Sequence, residues 1–272
     1  MDIKILHAFL LTTFAGLSTG IGSAIALLAR RTNAKLLSVS LGFSAGVMIY
    51  ISFVEILAEA ENIFCSRFGE FSGSIYTTIA FFGGIFLIAI IDKFIPSFEN
   101  PHEVRSVEDM SQKITKKNNR LYRTGIFTAL VVAIHNFPEG IATFMTALHD
   151  PSIGIAIAIA IAIHNIPEGI AVSVPIYYAT GNRRKAFWYS FLSGLAEPAG
   201  AILAYLILFQ FIESGDSEVF FASIMAAVAG IMVFISLDEL LPSAKEFGEH
   251  HWAVYGLIAG MALMAVSLIA FI

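Results

Sequence analysis

Charge is what this sequence has least of. Asp, Glu, Lys and Arg make up 14% of its 272 residues, where a soluble domain carries about 25%. With 57% of the residues hydrophobic, a water-facing globular fold is excluded and an integral membrane protein is expected. Cysteine is nearly absent too. The single Cys65 rules out an intrachain disulfide. Basic residues are not interleaved with aromatics at recognition spacing, so no nucleic-acid partner is expected. The zincin pattern His-Glu-x-x-His is missing. A short cleavable leader is missing as well, so the first apolar run reads as a retained helix.

What remains is apolar runs of spanning length, about 20 residues each. They fall at 5–29, 36–58, 71–91, 124–148, 151–178, 186–211, 219–241 and 252–272. The expected fold is an all-α integral membrane protein of eight transmembrane helices, forming one transmembrane domain over 1–272. The long polar segment at about 96–123 is its one extended loop. Residues 153–163 largely alternate Ile with Ala or Gly, which by itself reads as a strand. A lone strand in lipid leaves its backbone groups unsatisfied, so a helix is expected there. Trp252 and Tyr255 sit where interfacial anchors belong.

Charge placement orients the bundle. With both termini outside, the inside segments hold 14 of the 16 Lys and Arg residues, all but Lys4 and Arg67. That asymmetry is the positive-inside pattern. The outside loops then carry Glu59, Glu61, Glu70, Asp150, Glu213, Asp216 and Glu218, an acidic mouth that concentrates cations modestly.

Inside this apolar chain one pattern occurs twice: His135-Asn136-Phe137-Pro138-Glu139-Gly140 and His164-Asn165-Ile166-Pro167-Glu168-Gly169. A charged side chain at the centre of a spanning helix costs about 2.5–3.5 kcal/mol on insertion scales. Accepting such residues twice, in the same order, points to use. Residues i and i+4 share a helix face, so each His points the same way as its Glu, with each Asn beside them. Pro138 and Pro167 free the carbonyls of Ile134 and Ile163 and loosen each helix. Asp150 marks a tight turn between the two helices. His135 lies 15 residues before it and His164 lies 14 after it, so both sit roughly 21–23 Å from the turn. Antiparallel partners at equal depth bring together two imidazoles, two carboxylates and two amides. Imidazole suits zinc and iron, while carboxylates and amide oxygens suit harder cations. One or two divalent ions fit such a set. Glu197, beside Pro198 in the sixth span, is a third intramembrane carboxylate. Met48, Glu55, Asp238 and Glu239 are candidates for lining a way in or out. His102, His149, His250 and His251 read as loop residues.

With these residues in view, the sequence resembles the ZIP family of divalent metal transporters, in its bacterial branch. The resemblance covers essentially the whole chain. It rests on the doubled motif, the eight spans with a long loop after the third, and two further phrases: Gly42-Phe43-Ser44-Ala45-Gly46-Val47-Met48 and Leu237-Asp238-Glu239-Leu240-Leu241-Pro242. It implies import of divalent transition metals across a bacterial inner membrane. Zn²⁺ comes first and Fe²⁺, Mn²⁺ and Co²⁺ are further substrates, with no cofactor and no enzymatic step. It implies a binuclear site between helices four, five and six. By position, His135, Glu139, His164 and Glu168 match one metal position, and Asn136, Glu139, Asn165, Glu168 and Glu197 match a second. It also implies a homodimer in the lipid bilayer, with the first three and last three helices related by an inverted pseudo-symmetry. One departure stands out: the long loop holds only His102, where many relatives have a His-rich loop.

The expected mechanism is a carrier. The fourth and fifth helices move against the rest, and the ion leaves past Asp238 and Glu239. Two alternatives remain open on the residues: a passive channel for the same ions, and, more weakly, an intramembrane metal-dependent hydrolase. The latter requires an open ligand position and a base.

Overall fold

The computed structural model describes residues 3–28, 34–93, 114–211, 217–247 and 250–270. Among these every element is helical: α1 (Ile3–Leu28), α2 (Ala34–Ile51), α3 (Leu57–Phe68), α4 (Glu70–Lys93), α5 (Ile114–His149) and α6 (Pro151–Thr180). They are followed by α7 (Arg183–Gly194), α8 (Ala196–Phe211), α9 (Ser217–Ile235), α10 (Leu241–Phe247) and α11 (His250–Ala270). Seven described stretches are long and apolar enough to cross a bilayer. The expected fourth span lies within α5. This is a multi-pass membrane bundle. Its α4 turns Phe71, Ile79, Phe86 and Ile90 outward, away from protein.

The spans differ from the apolar runs in instructive places. The second continues for 31 residues, Ser38–Phe68, so Glu59 and Glu61 lie on helix α3 and not in a loop. The last ten residues of the expected polar loop, 114–123, open helix α5. The rest of that loop, with Arg105, Lys113 and His102, lies outside the described residues, as do Arg30, Arg31, Glu213 and Asp216. His149 ends α5, and His250 and His251 begin α11.

Local chemistry explains the joints. Asp150 caps α6: its carboxylate accepts from the amides of Ser152 at 2.8 Å and Ile153 at 3.2 Å, and Pro151 takes the first helical position, where a missing N–H does no harm. Gly181 closes the same helix with φ 65°, a left-handed conformation that a side chain disfavours. Neither Pro138 nor Pro167 interrupts its helix. The proline that coincides with a break is Pro198. There the sixth span divides at Leu195, because a proline and, four residues earlier, the weak helix former Gly194 act together. Two five-residue π-helical turns also occur, Ser52–Ile56 joining α2 to α3 and Ser236–Leu240 joining α9 to α10. Nothing in the apolar periodicity announces them.

Packing divides the bundle. Close approach of backbones shows where a methyl group would not fit. Added to Gly140 it would overlap the Glu197 carbonyl, and added to Gly169 the Thr19 carbonyl. Contacts of this kind tie α1, α5, α6, α7 and α8 together, through Gly16, Gly22, Gly194 and Gly200 as well. A ring cluster of Phe9, Phe144 and Tyr205 fills the space between α1, α5 and α8, with Phe9 and Phe144 centroids 4.6 Å apart. The same kind of contact ties α2 to α11 (Gly42, Gly46, Gly256, Gly260) and α4 to α9 (Gly84, Gly230). Trp252 adds to the α2–α11 joint by taking Lys35 Nζ over its ring at 3.4 Å. Among the described residues no glycine contact joins the first group to the others. What crosses between them is side-chain chemistry.

Candidate metal centre

Antiparallel α5 and α6 bring both motifs to one level, as equal distance from the turn requires. His135, Asn136, Glu139, His164, Asn165, Glu168 and Glu197 are each at most 2% exposed. The pairing runs crosswise between the helices. His135 Nε2 is 3.1 Å from Glu168 Oε1. His164 Nε2 is 3.2 and 3.3 Å from the two oxygens of Glu139, and 3.9 Å from Glu168 Oε1 on its own helix. The two amides face outward from this quartet toward α1 and α7. Asn165 Nδ2 donates to the Ala15 carbonyl at 3.0 Å and to Glu197 Oε1. Asn136 Nδ2 lies 3.4 Å from the Ser193 carbonyl. Turned end for end, the same amide donates to Glu168 Oε2 and to the Val132 carbonyl, both at 3.1 Å, a better fit to its neighbours.

All seven sequence-predicted residues therefore converge. In this conformation each imidazole meets a carboxylate of the other helix. Among the described residues no three His, Cys, Asp or Glu side chains surround a common centre as an ion requires. Two oxygens are left over: Asn165 Oδ1 and Glu197 Oε2 are buried without a hydrogen-bond partner. A buried acceptor with nothing to accept from is costly, and a cation is the partner that suits two such oxygens.

One site residue was not read as such in the sequence. Glu239, expected only to line an exit, reaches in from the π turn and places Oε2 3.1 Å from His135 Nδ1. An Nδ1–H held by a carboxylate leaves Nε2 as the metal-binding nitrogen and fixes the ring. The available signal was that a buried ligating imidazole needs a partner on its second nitrogen. Few intramembrane acids outside the motifs were free to supply it. Asp238 next to it is exposed, and Met48 is fully buried in the core. At the far end of α5, His149 lies 3.2 Å from Glu59 and is 55% exposed, with its ring 5.4 Å from that of Phe221, so it is a surface residue at the bundle's end.

A membrane-spanning helical bundle with imidazole, carboxylate and amide groups gathered at mid-span has the make-up of a cation-handling membrane protein. Comparison with known proteins makes this specific. The family model for the ZIP zinc transporters matches residues 1–92 and 96–268. A zinc transporter ZupT of Streptococcus mutans is 60% identical over 272 residues, covering 100% of both chains. Proteins of the same name from Oceanobacillus iheyensis and Clostridium perfringens are 62% and 57% identical, covering 98% and 99% of this chain and 98% and 97% of their own. The chain belongs to the ZIP family of metal transporters. It is therefore a transporter and not an enzyme, which removes the hydrolase alternative. Metals are its substrates and no cofactor is involved. Its setting is the bacterial plasma membrane.

Proposed function

We propose that the chain imports divalent transition-metal ions, zinc first, with iron, manganese and cobalt as competitors. The relatives named as zinc transporters support the first metal. The observation that carries the reading is the convergence of the six motif residues and Glu197 in a buried centre. His135, Glu139, His164 and Glu168 form one metal position, with nitrogen and oxygen ligands suited to zinc. Asn136, Glu139, Asn165, Glu168 and Glu197 form a second, all oxygen, and the unpartnered atoms of Asn165 and Glu197 support it. An oxygen-rich second position tolerates harder ions.

The whole chain acts as one domain, with both termini outside, as the basic residues favour, and two chains form a homodimer. An ion entering from the Asp150 end breaks the crosswise His–Glu pairs and takes their place. The moving body is larger than helices four and five. The close backbone contacts make α1, α7 and α8 travel with α5 and α6, against a frame of α2, α4, α9 and α11. Among the described residues, polar contacts across that boundary include His135–Glu239, His149–Glu59, and the Ser44 hydroxyl donating to the His164 carbonyl at 3.2 Å. Such contacts exchange at small cost when one body slides on the other.

The test is radiolabelled zinc uptake into proteoliposomes, with and without a pH gradient, and with excess iron or manganese outside. Saturable uptake that those metals inhibit is expected. No uptake by a protein that binds zinc would refute the import reading. A non-saturating flux with high turnover would refute the carrier in favour of a passive channel.

A further inference from the structure

The two π turns are one feature occurring twice. Residues 45–57 and 229–241 align without a gap, and seven of the thirteen positions are identical: Ala45/Ala229, Gly46/Gly230, Met48/Met232, Ile51/Ile235, Ser52/Ser236, Glu55/Glu239 and Leu57/Leu241. Both π turns begin at the aligned serine and end one residue after the aligned glutamate. Both serines and both methionines are buried. Gly46 presses on a carbonyl of α11 and Gly230 on a carbonyl of α4.

The surroundings repeat as well. Helix α2 packs on α6, which carries His164, and α9 packs on α5, which carries His135. Gly22 of α1 abuts the Ile166 carbonyl, and Gly200 of α8 abuts the Phe137 carbonyl. Ile166 and Phe137 hold the same place in the two motifs. Asn165 donates to Ala15 of α1, and Asn136 approaches Ser193 of α7. The centre thus lies between two equivalent half-structures of opposite direction.

The equivalence fails at one place. His135 Nδ1 is held by Glu239. His164 Nδ1 is fully buried and has no partner. Glu55, which by alignment should hold it, is half-exposed and makes no hydrogen bond or ion pair among the described residues. The charges acting on Glu55, those of Glu59 and Asp150, are both acidic and repel it. Inverted half-structures exchange roles between the two states of a transporter, so a contact made on one side now is made on the other side later.

We propose that Glu55 is the counterpart of Glu239: in the opposite conformation its carboxylate takes Nδ1 of His164, and Glu239 releases His135. Each π turn then holds one imidazole in one state, and the two carboxylates stabilise opposite conformations. Glu55 is a positioning residue acting through His164. The idea rests on the transport reading above.

The experiment measures populations, not flux. Spin labels at Arg67→Cys on α3 and Ser152→Cys on α6, in a Cys65→Ser background, report the distance between frame and moving body. Glu239→Gln replaces the carboxylate behind His135 with a neutral amide, which weakens a contact of the present state and should shift the ratio of the two distances roughly fivefold toward the other state, the scale of the difference between a hydrogen bond to a charged group and a neutral one. Glu55→Gln should shift it by a similar factor the opposite way. Glu55→Asp, which keeps the charge, should restore much of the ratio, and the double Gln variant should lie near the parent. Shifts of the same sign, or no shift with Glu55→Gln, would overturn the proposal. A parent protein that shows both distances and opposite shifts but no zinc uptake would instead overturn the import reading.

Discussion

Replacing Glu239 with alanine tests whether a residue outside both motifs governs the metal centre. Its carboxylate lies 3.1 Å from His135 Nδ1, and the imidazole is 2% exposed. The ring is then free to place its proton on Nε2, the nitrogen that faces Glu168, and an Nε2–H cannot bind a metal. Leaving a buried donor unsatisfied costs about 1–3 kcal/mol. Removing the carboxylate behind a ligating imidazole lowers metal affinity about 10–100-fold, which is about 1.4–2.7 kcal/mol. Both considerations give the same range. Zinc titration of the detergent-solubilised protein by calorimetry should therefore show affinity one to two orders of magnitude weaker for Glu239→Ala. Glu239→Gln, whose amide oxygen still accepts from Nδ1–H, should fall near the small end of the range. An alanine variant with the parent's zinc affinity would refute the reasoning, since His135 would then be oriented by something else.

Three more outcomes are expected. Glu168→Ala removes the carboxylate that meets both imidazoles, so zinc uptake in cells should be abolished while membrane expression, read by immunoblot, stays normal. Gly169→Ala forces a methyl group against the Thr19 carbonyl of α1, a backbone atom that cannot swing aside. Overpacking of this kind costs about 1–3 kcal/mol and should appear as a lower melting temperature in detergent. Asp150→Ala removes the cap of α6 at about 1 kcal/mol, which thermal melts should detect without any change in calorimetric zinc affinity.

The bundle was legible because lipid imposes simple demands. Spanning length, the misleading Ile alternation at 153–163, and the tight Asp150 turn all resolve once every backbone group must find its partner within a helix. The six motif residues and Glu197 were legible for a related reason: polar groups at one depth in an apolar chain have only each other. Other features were hidden. Helix α3 carries too many charges to continue an apolar run, yet the helix does not stop for them. Pro138 and Pro167, expected to loosen their helices, leave them continuous, whereas the break at Leu195 coincides with Gly194 and Pro198. Glu239 looked like an end-of-span residue. Only the π turn, which rotates the residues after it relative to an ordinary helix, carries it back to His135. A self-comparison of the chain at a separation of 184 residues would have flagged it, through the match of Ser236 and Glu239 with Ser52 and Glu55.

A π turn is an α-helix holding one residue too many, and such an extra residue arises by a single insertion. Here the surplus residue occupies the same alignment position in both halves of the chain. Two separate insertions, each landing beside the same serine and the same glutamate, are a poor explanation. One ancestral three-helix unit that already carried the insertion accounts for both. The flaw in the helix is then older than the eight-helix protein. Deleting one residue from either turn would return that helix to regular α form and reverse the insertion on one side alone.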